Sequence, residues 1–321
     1  MSESTLFTKL KSKEAKGICI LIMFIHHLFA FPDRLDNVFN TDYLVRLGQE
    51  FGIIVGLYVF ISGYGLAIKP LSLKDGTDRI VKLWLSFCFV FFIFIPIGFC
   101  LGVYKFELKE FFENLFFISS SYNHEWWFFS LYVQLIVIST LLSLIKDKQQ
   151  LFVILCILLI LSVIIKKFDF GTTLLGLRIY FSVFLLSYIT CKYGLFEKAD
   201  VLLRKIVSPN LIRGLICFIS AIVISKKFGD ANFLAFFFWF LGFSYFTVRP
   251  FFSKMFCFLG KHSVNMWLVH TFYCYYYCKN IFIFVSNPLL AFMVLLLLSL
   301  MTSIAIEYIK DRLRCLKIYF S

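Results

Sequence analysis

The chain has 321 residues, of which 60% are hydrophobic and only 16% are charged, so it is far more apolar than a soluble domain. This composition excludes a soluble globular protein and predicts an all-α membrane protein with several spans. The net charge of +13 does not indicate nucleic-acid binding, because basic residues of membrane proteins collect on cytoplasmic loops. The ten Cys residues lie mostly within apolar runs, which predicts buried thiols rather than a disulfide framework or a metal site.

Apolar runs near 20 residues, the length that crosses a bilayer core of roughly 30 Å, occur ten times along the chain. The predicted spans are 16–32, 49–68, 83–104, 126–145, 150–166, 172–191, 211–226, 232–248, 263–285 and 289–309. The segment 106–118 mixes charges with aromatic residues and is predicted to lie at the membrane interface. No long polar linker divides the chain, so a single domain over residues 1–321 is expected.

Loop charges orient these spans. With the N-terminus inside, the inner segments carry 22 Lys and Arg residues and the outer loops carry 9. Because cytoplasmic loops are enriched in Lys and Arg, this bias predicts ten transmembrane helices with both termini in the cytoplasm. We therefore expect a multi-pass protein of the cytoplasmic (inner) membrane.

Ionisable groups at membrane depth are candidates for function by default. These groups are His26, His27, Arg178 and His270, with Glu50, His124 and Glu125 near the outer ends of spans. His27 follows Lys16 by 11 residues, close to three helical turns, so both side chains share one helix face. His26 faces a different neighbour. For His27, a working imidazole and a hydrogen bond to a neighbouring helix are equally good interpretations of the pattern alone.

Other stretches combine small, basic or aromatic residues. Gly56, Ser62, Gly63 and Gly65 allow close helix approach. Arg79 and Lys82 lie one turn apart at the predicted cytoplasmic start of the third span, where paired cations suit phosphates or simply mark topology. Trp126 and Trp127 predict an interfacial belt, and Ser263 predicts the N-cap of the ninth span.

Four stretches in chain order carry a family resemblance. They are Lys16 and His27 with ten residues between them, Val59–Gly65 followed by Arg79 and Lys82, Trp127–Phe129, and Leu259–Ser263 with Trp267–His270. Together they resemble the acyltransferase 3 family of integral membrane acyltransferases. The chain departs from the family pattern at Lys16 and Lys82, where Arg is more usual, and a Lys does not form the bidentate contacts of Arg.

The resemblance implies a membrane O-acyltransferase that moves an acyl group, most often acetyl, from cytosolic acyl-CoA to a hydroxyl of a surface or exported polysaccharide. His27 is then the general base or the acyl carrier, with Lys16 beside it. The phosphates of CoA would meet Lys16, Arg79, Lys82 and Lys261.

On the acceptor side, the implied partner is a glycan or lipid-linked saccharide held near His124, Glu125 and His270. Arg178 either steadies the oxyanion or extends to the outer interface, and the two roles are equally expected. No metal is expected.

Two other functions fit part of the pattern. A secondary transporter or flippase of the envelope-glycan pathway also uses buried His and Arg residues, but the sequence shows no inverted repeat. A scaffold subunit of a polysaccharide assembly complex would not need the alignment of Lys16 with His27.

Overall fold

The computed structural model describes residues 6–166, 168 and 175–315, and these residues form helices and no strand. The all-α prediction is therefore confirmed. The helices are α1 (Lys9–Phe29), α2 (Asp42–Glu50), α3 (Ile54–Ile68), α4 (Leu73–Cys100), α5 (Leu108–Leu115), α6 (Trp127–Leu142), α7 (Lys148–Ile165), α8 (Leu175–Tyr193), α9 (Leu195–Ile206), α10 (Asn210–Lys227), α11 (Leu234–Tyr245), α12 (Pro250–Thr271), α13 (Lys279–Val285) and α14 (Pro288–Cys315).

Every predicted apolar run overlaps a helix, but helix length and composition support fewer crossings than ten. Among the described residues, five helices are long and apolar enough to cross a membrane, or six if α8 and α9, bent by 75°, count as one span. α11 has only 12 residues, and α1 includes the basic residues that precede its apolar run. The protein is a multi-pass membrane protein, and the number of ten spans and the cytoplasmic termini stay predictions.

The chain divides into two compact units. The first unit comprises Met1–Lys13, Val55–Val81 and Phe128–Ser253, and the second comprises Glu14–Ile54, Lys82–Trp127 and Lys254–Ser321. Each unit has its own aromatic core, as expected for a chain with 44 Phe residues. The single domain over residues 1–321 stays a prediction.

In the first unit, the core is a cluster of rings from α3, α9, α11 and the N-terminal segment. Phe7 packs edge-on against Tyr64 and Phe240, and Phe60 stacks on Phe240 at 4.8 Å between ring centroids. Gly63 of α3 leaves no room for a Cβ against the Ser187 side chain of α8. The predicted role of this small-residue stretch in close helix packing is therefore confirmed at Gly63.

A buried ion cluster joins α9 to α10 in the same unit. The Arg213 guanidinium is 4% exposed and donates to the Asp200 carboxylate at 3.1 Å, and Arg204 lies 2.7 Å from the other oxygen of that carboxylate. The Tyr245 hydroxyl of α11 donates to Asp200 at 2.9 Å. This pairing explains how α10 accommodates a charged residue near the start of its apolar run.

In the second unit, α1 packs along α12. A Cβ at Gly17 would overlap the backbone carbonyl of Phe256, so the two helices touch through their backbones there. Nearer the other end of this helix pair, Phe24 stacks on His270 with 5.3 Å between ring centroids. This packing brings the last turn of α1, which carries His26 and His27, against the C-terminal half of α12.

The ends of α1 and α12 differ from the predicted spans for physical reasons. Lys is a strong helix former, so α1 begins at Lys9, and it ends at Phe29 because Pro32 disfavours helical geometry before it. His27 therefore lies in the last turn of α1. α12 begins at Pro250, well before the apolar run, so the prediction of Ser263 as an N-cap is wrong. The Ser263 hydroxyl donates to the Gly260 carbonyl within the helix.

The predicted interfacial belt is wrong for one of its two members. The Trp126 side chain is buried in the second unit, packs edge-on against Phe87, and donates from its indole nitrogen to the Leu268 carbonyl at 3.1 Å. An indole N–H that donates to a protein carbonyl does not require the polar groups of the membrane surface as acceptors.

Candidate functional site

His27 is the centre of a buried polar cluster in the second unit. Its side chain is almost inaccessible, and its imidazole lies 4.8 Å from the His270 ring, measured between centroids. Its Nε2 atom lies 3.9 Å from the Glu125 carboxylate. That distance exceeds a hydrogen bond, so the carboxylate acts on the imidazole through its charge.

The loop before α6 holds Glu125 in place. A 3-10 turn, His124–Trp126, follows Asn123, whose side-chain oxygen accepts the Glu125 backbone N–H at 3.1 Å. The amide nitrogen of Asn123 donates to the Thr271 hydroxyl at 2.8 Å, which ties this loop to the end of α12. The backbone of Glu125 is therefore held by Asn123, which is itself bonded to the end of α12. The His124 side chain, by contrast, is exposed.

The second partner of Glu125 is Arg34. The Arg34 guanidinium lies 2.6 Å from the carboxylate oxygen that does not face His27. It also lies over the rings of Phe31 and Tyr275, at 4.7 and 5.0 Å from their centroids. Burial lowers the pKa of Arg34, but the hydrogen bond and the charge of Glu125 more than offset this and raise the pKa above its ordinary value.

A π-helix, Phe272–Tyr277, continues α12 beside the cluster. The Tyr275 hydroxyl donates to the His27 backbone carbonyl, one of the carbonyls that the end of α1 leaves without a helical partner. The Tyr276 hydroxyl accepts the His124 backbone N–H at 3.3 Å, and the Tyr277 hydroxyl donates to the Phe94 carbonyl at 2.6 Å. Three successive tyrosines thus contact three separate segments.

Two ring nitrogens of the cluster are buried without a hydrogen-bond partner in the described part of the chain. They are Nδ1 of His27 and Nε2 of His270. The Nδ1 atom of His270 donates to the Trp267 carbonyl at 2.6 Å, so its Nε2 carries a lone pair. Orphaned polar atoms in a buried site call for an explanation, and a substrate group that donates a proton is one.

His26 has a different environment from His27. Its Nδ1 donates to the Gly48 carbonyl of α2 at 2.8 Å, and Gly48 lies so close to the backbone of Ala30 that a Cβ would overlap it. His26 therefore links α1 to α2 by a satisfied hydrogen bond.

The other predicted site residues lie outside this cluster, and their roles stay predictions. Lys16 is half-buried on α1, 11 residues before His27. Arg79 and Lys82 are exposed on α4, and Lys261 is exposed on α12. Arg178 belongs to the first unit, where its guanidinium donates to the Phe168 carbonyl at 2.7 Å.

Two residues of the cluster were absent from the sequence-based prediction. Arg34 follows the Pro of a short turn, and nothing in its spacing relates it to His27. Tyr275 belongs to a run of aromatic residues that resembles an ordinary apolar helix, and only the π-helical geometry sets its direction.

A comparison with known families settles the class of the protein. Residues 15–308 match the profile of the acyltransferase domain called acyltransferase 3, which covers nearly the whole chain. The chain belongs to the acyltransferase 3 family. Comparisons with curated proteins and with solved structures give no match. As a member of this family the chain is a membrane acyltransferase, and the matched region includes His27, Glu125 and His270.

Proposed function

We propose that the protein is an O-acyltransferase of the cytoplasmic membrane that transfers an acyl group, most simply acetyl, from acyl-CoA to a hydroxyl of a surface or exported polysaccharide. The observation that carries the proposal is His27: its imidazole is buried beside a carboxylate and keeps one ring nitrogen without a partner among the described residues. A base with these surroundings suits the removal of a proton from a hydroxyl.

The His27 imidazole is enough to account for every proton that moves in the reaction. The His27 imidazole takes the hydroxyl proton while the hydroxyl oxygen attacks the thioester carbonyl, and the C–S bond breaks as the ester C–O bond forms. The thiolate of CoA then takes the proton from the imidazolium. A two-step variant, in which the His27 nitrogen first carries the acyl group and releases CoA, uses the same residue and the same acceptor.

The donor side of the proposal rests on charge. The phosphates of CoA are anionic, and Lys16, Arg79, Lys82 and Lys261 form the basic set that we assign to them. We expect the R79A/K82A double variant to bind acyl-CoA more weakly, with a loss that shrinks as salt is added. Unchanged donor affinity at low salt would leave these residues as topology signals.

The acceptor side of the proposal rests on the predicted topology, which places residues 124 and 125 at the outer surface. His124, Glu125 and His270 are assigned to the glycan or lipid-linked saccharide, and Arg178 to the sugar or the oxyanion. Mass spectrometry of the surface polysaccharide, with and without the gene, tests donor and acceptor class together. The expected difference is the mass of one acyl group, and identical polysaccharides would refute the proposal.

The two adjacent histidines provide a matched pair of variants. We expect H27A to lose roughly 10²–10⁴-fold in transfer rate, the usual worth of a general base, while the protein still accumulates in the membrane. H26A loses the bond to the Gly48 carbonyl and the ring contacts with His27 and Phe31, and should keep a substantial fraction of activity. Both rates are compared at equal membrane abundance. An active H27A variant would remove the proposed base.

A further inference from the structure

The Glu125 carboxylate is shared between a cation and an imidazole. One oxygen lies 2.6 Å from Arg34, and the other lies 3.9 Å from Nε2 of His27. The Glu125 side chain is only 14% exposed, whereas that of Arg34 is 39% exposed. Burying a charged carboxylate is costly unless a cation compensates it. Within the part of the chain that the structure describes, Arg34 is the one permanently charged cation within ion-pair distance of Glu125.

The other groups that interact with Glu125 are neutral or weakly basic. They are the imidazoles of His26 and His270 and the side chains of Cys274, Tyr275 and Tyr276, in addition to His27 itself. None of them carries the permanent charge of Arg34, so Arg34 is the group that compensates and holds this carboxylate.

The position of the Glu125 carboxylate decides which nitrogen of His27 carries the proton. A negative charge 3.9 Å from Nε2 favours the tautomer with its hydrogen on Nε2, because that N–H is the positive end of the ring dipole. The lone pair of His27 then belongs to Nδ1, the atom that has no partner among the described residues. The neighbouring ring, His270, carries its lone pair on Nε2. Acceptor nitrogens on two neighbouring rings suit a hydroxyl that has to give up its proton.

We propose that Arg34 is a positioning residue, which holds the Glu125 carboxylate against His27, so that His27 presents Nδ1 as the base. This inference rests on the proposed function in that it assigns the reactive nitrogen of the same site. Arg34 acts through Glu125 and touches no reacting atom. Its guanidinium also lies over the rings of Phe31 and Tyr275, and these contacts help to hold it in place.

The test combines transfer kinetics with the state of the imidazole. In the purified full-length protein, R34Q should lower kcat roughly ten- to a hundredfold, the worth of one charged hydrogen bond, and leave the KM for acetyl-CoA unchanged. R34K keeps the charge and should recover part of kcat. In an E125Q background, adding R34Q should cause no further loss of kcat, because the residue through which Arg34 supports His27 is gone and the remaining Arg34 charge opposes the imidazolium.

A second ion pair on the same turn supplies the control. Asp36, which follows the turn Pro32–Leu35, lies 2.6 Å from Lys279. K279Q releases this pair without touching Glu125 and should keep kcat. If K279Q lowers kcat as much as R34Q does, the role of Arg34 is only to hold the turn in place. A further loss from R34Q in the E125Q background, or a rise in the acceptor KM, would also overturn the inference.

Nitrogen NMR of the protein labelled at its five His residues separates this inference from the proposed function. The H27A variant assigns the His27 signal. We expect a protonated Nε2 in the wild type and a changed tautomer ratio in R34Q. This result holds even if the wild type transfers no acyl group, which would refute only the proposed function. A His27 signal that R34Q leaves unchanged would refute the positioning role.

Discussion

Replacing Glu125 by Gln removes a charge beside His27 and keeps the shape of the side chain. As His27 takes a proton during the reaction, a unit positive charge forms 3.9 Å from the carboxylate. At an effective dielectric constant of about 20, two unit charges at this distance attract by about 4 kcal/mol, which corresponds to about a thousandfold in rate. The Arg34 cation offsets part of this attraction. We therefore expect E125Q to lose between about ten- and a thousandfold in kcat.

The assay is transfer of radiolabelled acetyl groups from acetyl-CoA to polysaccharide, measured in membranes at saturating donor and equal protein abundance. E113Q is the matched control, because Glu113 pairs with Lys109 on α5 at 3.8 Å and belongs to a different surface. H27A sets the lower limit of the measurement. If E125Q keeps the wild-type kcat while H27A is inactive, the carboxylate does not stabilise the imidazolium, and the electrostatic reasoning fails.

Three further predictions concern stability and topology. R213A removes one of the two cations that pair with the buried carboxylate of α9 and should destabilise the protein by about 1.5–3 kcal/mol, seen as a lower Tm in detergent. G17L should reduce folded protein in the membrane because its side chain meets backbone, whereas G65A, with open space around residue 65, should not; equal yields would contradict this packing. Single cysteines near residue 205 should be labelled only from the cytoplasm and those near residue 120 only from outside, and external labelling near 205 would refute the predicted topology.

The helices were largely predictable because apolar runs and helix formers are local features of the sequence. The start of α12 was predicted wrongly, and the reason is again a local feature of the sequence. The residues that open α12 include Lys254 and Lys261, so a search for apolar runs starts too late. The same reasoning misplaced Trp126, because nothing in the sequence shows that its indole meets the Leu268 carbonyl.

The site was predictable only in part, for a different reason. His27 and Glu125 are unusual residues at span ends, and the sequence alone draws attention to them. Their proximity depends on how α1, α12 and the loop before α6 pack, which no spacing encodes. Arg34 was missed because an Arg in an outer loop is ordinary, and only its distance of 2.6 Å to Glu125 distinguishes it.

The π-helix at Phe272–Tyr277 makes the second unit sensitive to chain length as well as to side-chain chemistry. Its wider turn directs Tyr275, Tyr276 and Tyr277 toward three different partners. Deleting one residue within it would restore an ordinary helical turn and redirect the side chains that the wider turn aims at these partners, although every tyrosine could be kept. Scanning by substitution would not detect this requirement, whereas scanning by single-residue deletion and insertion would locate it within one turn.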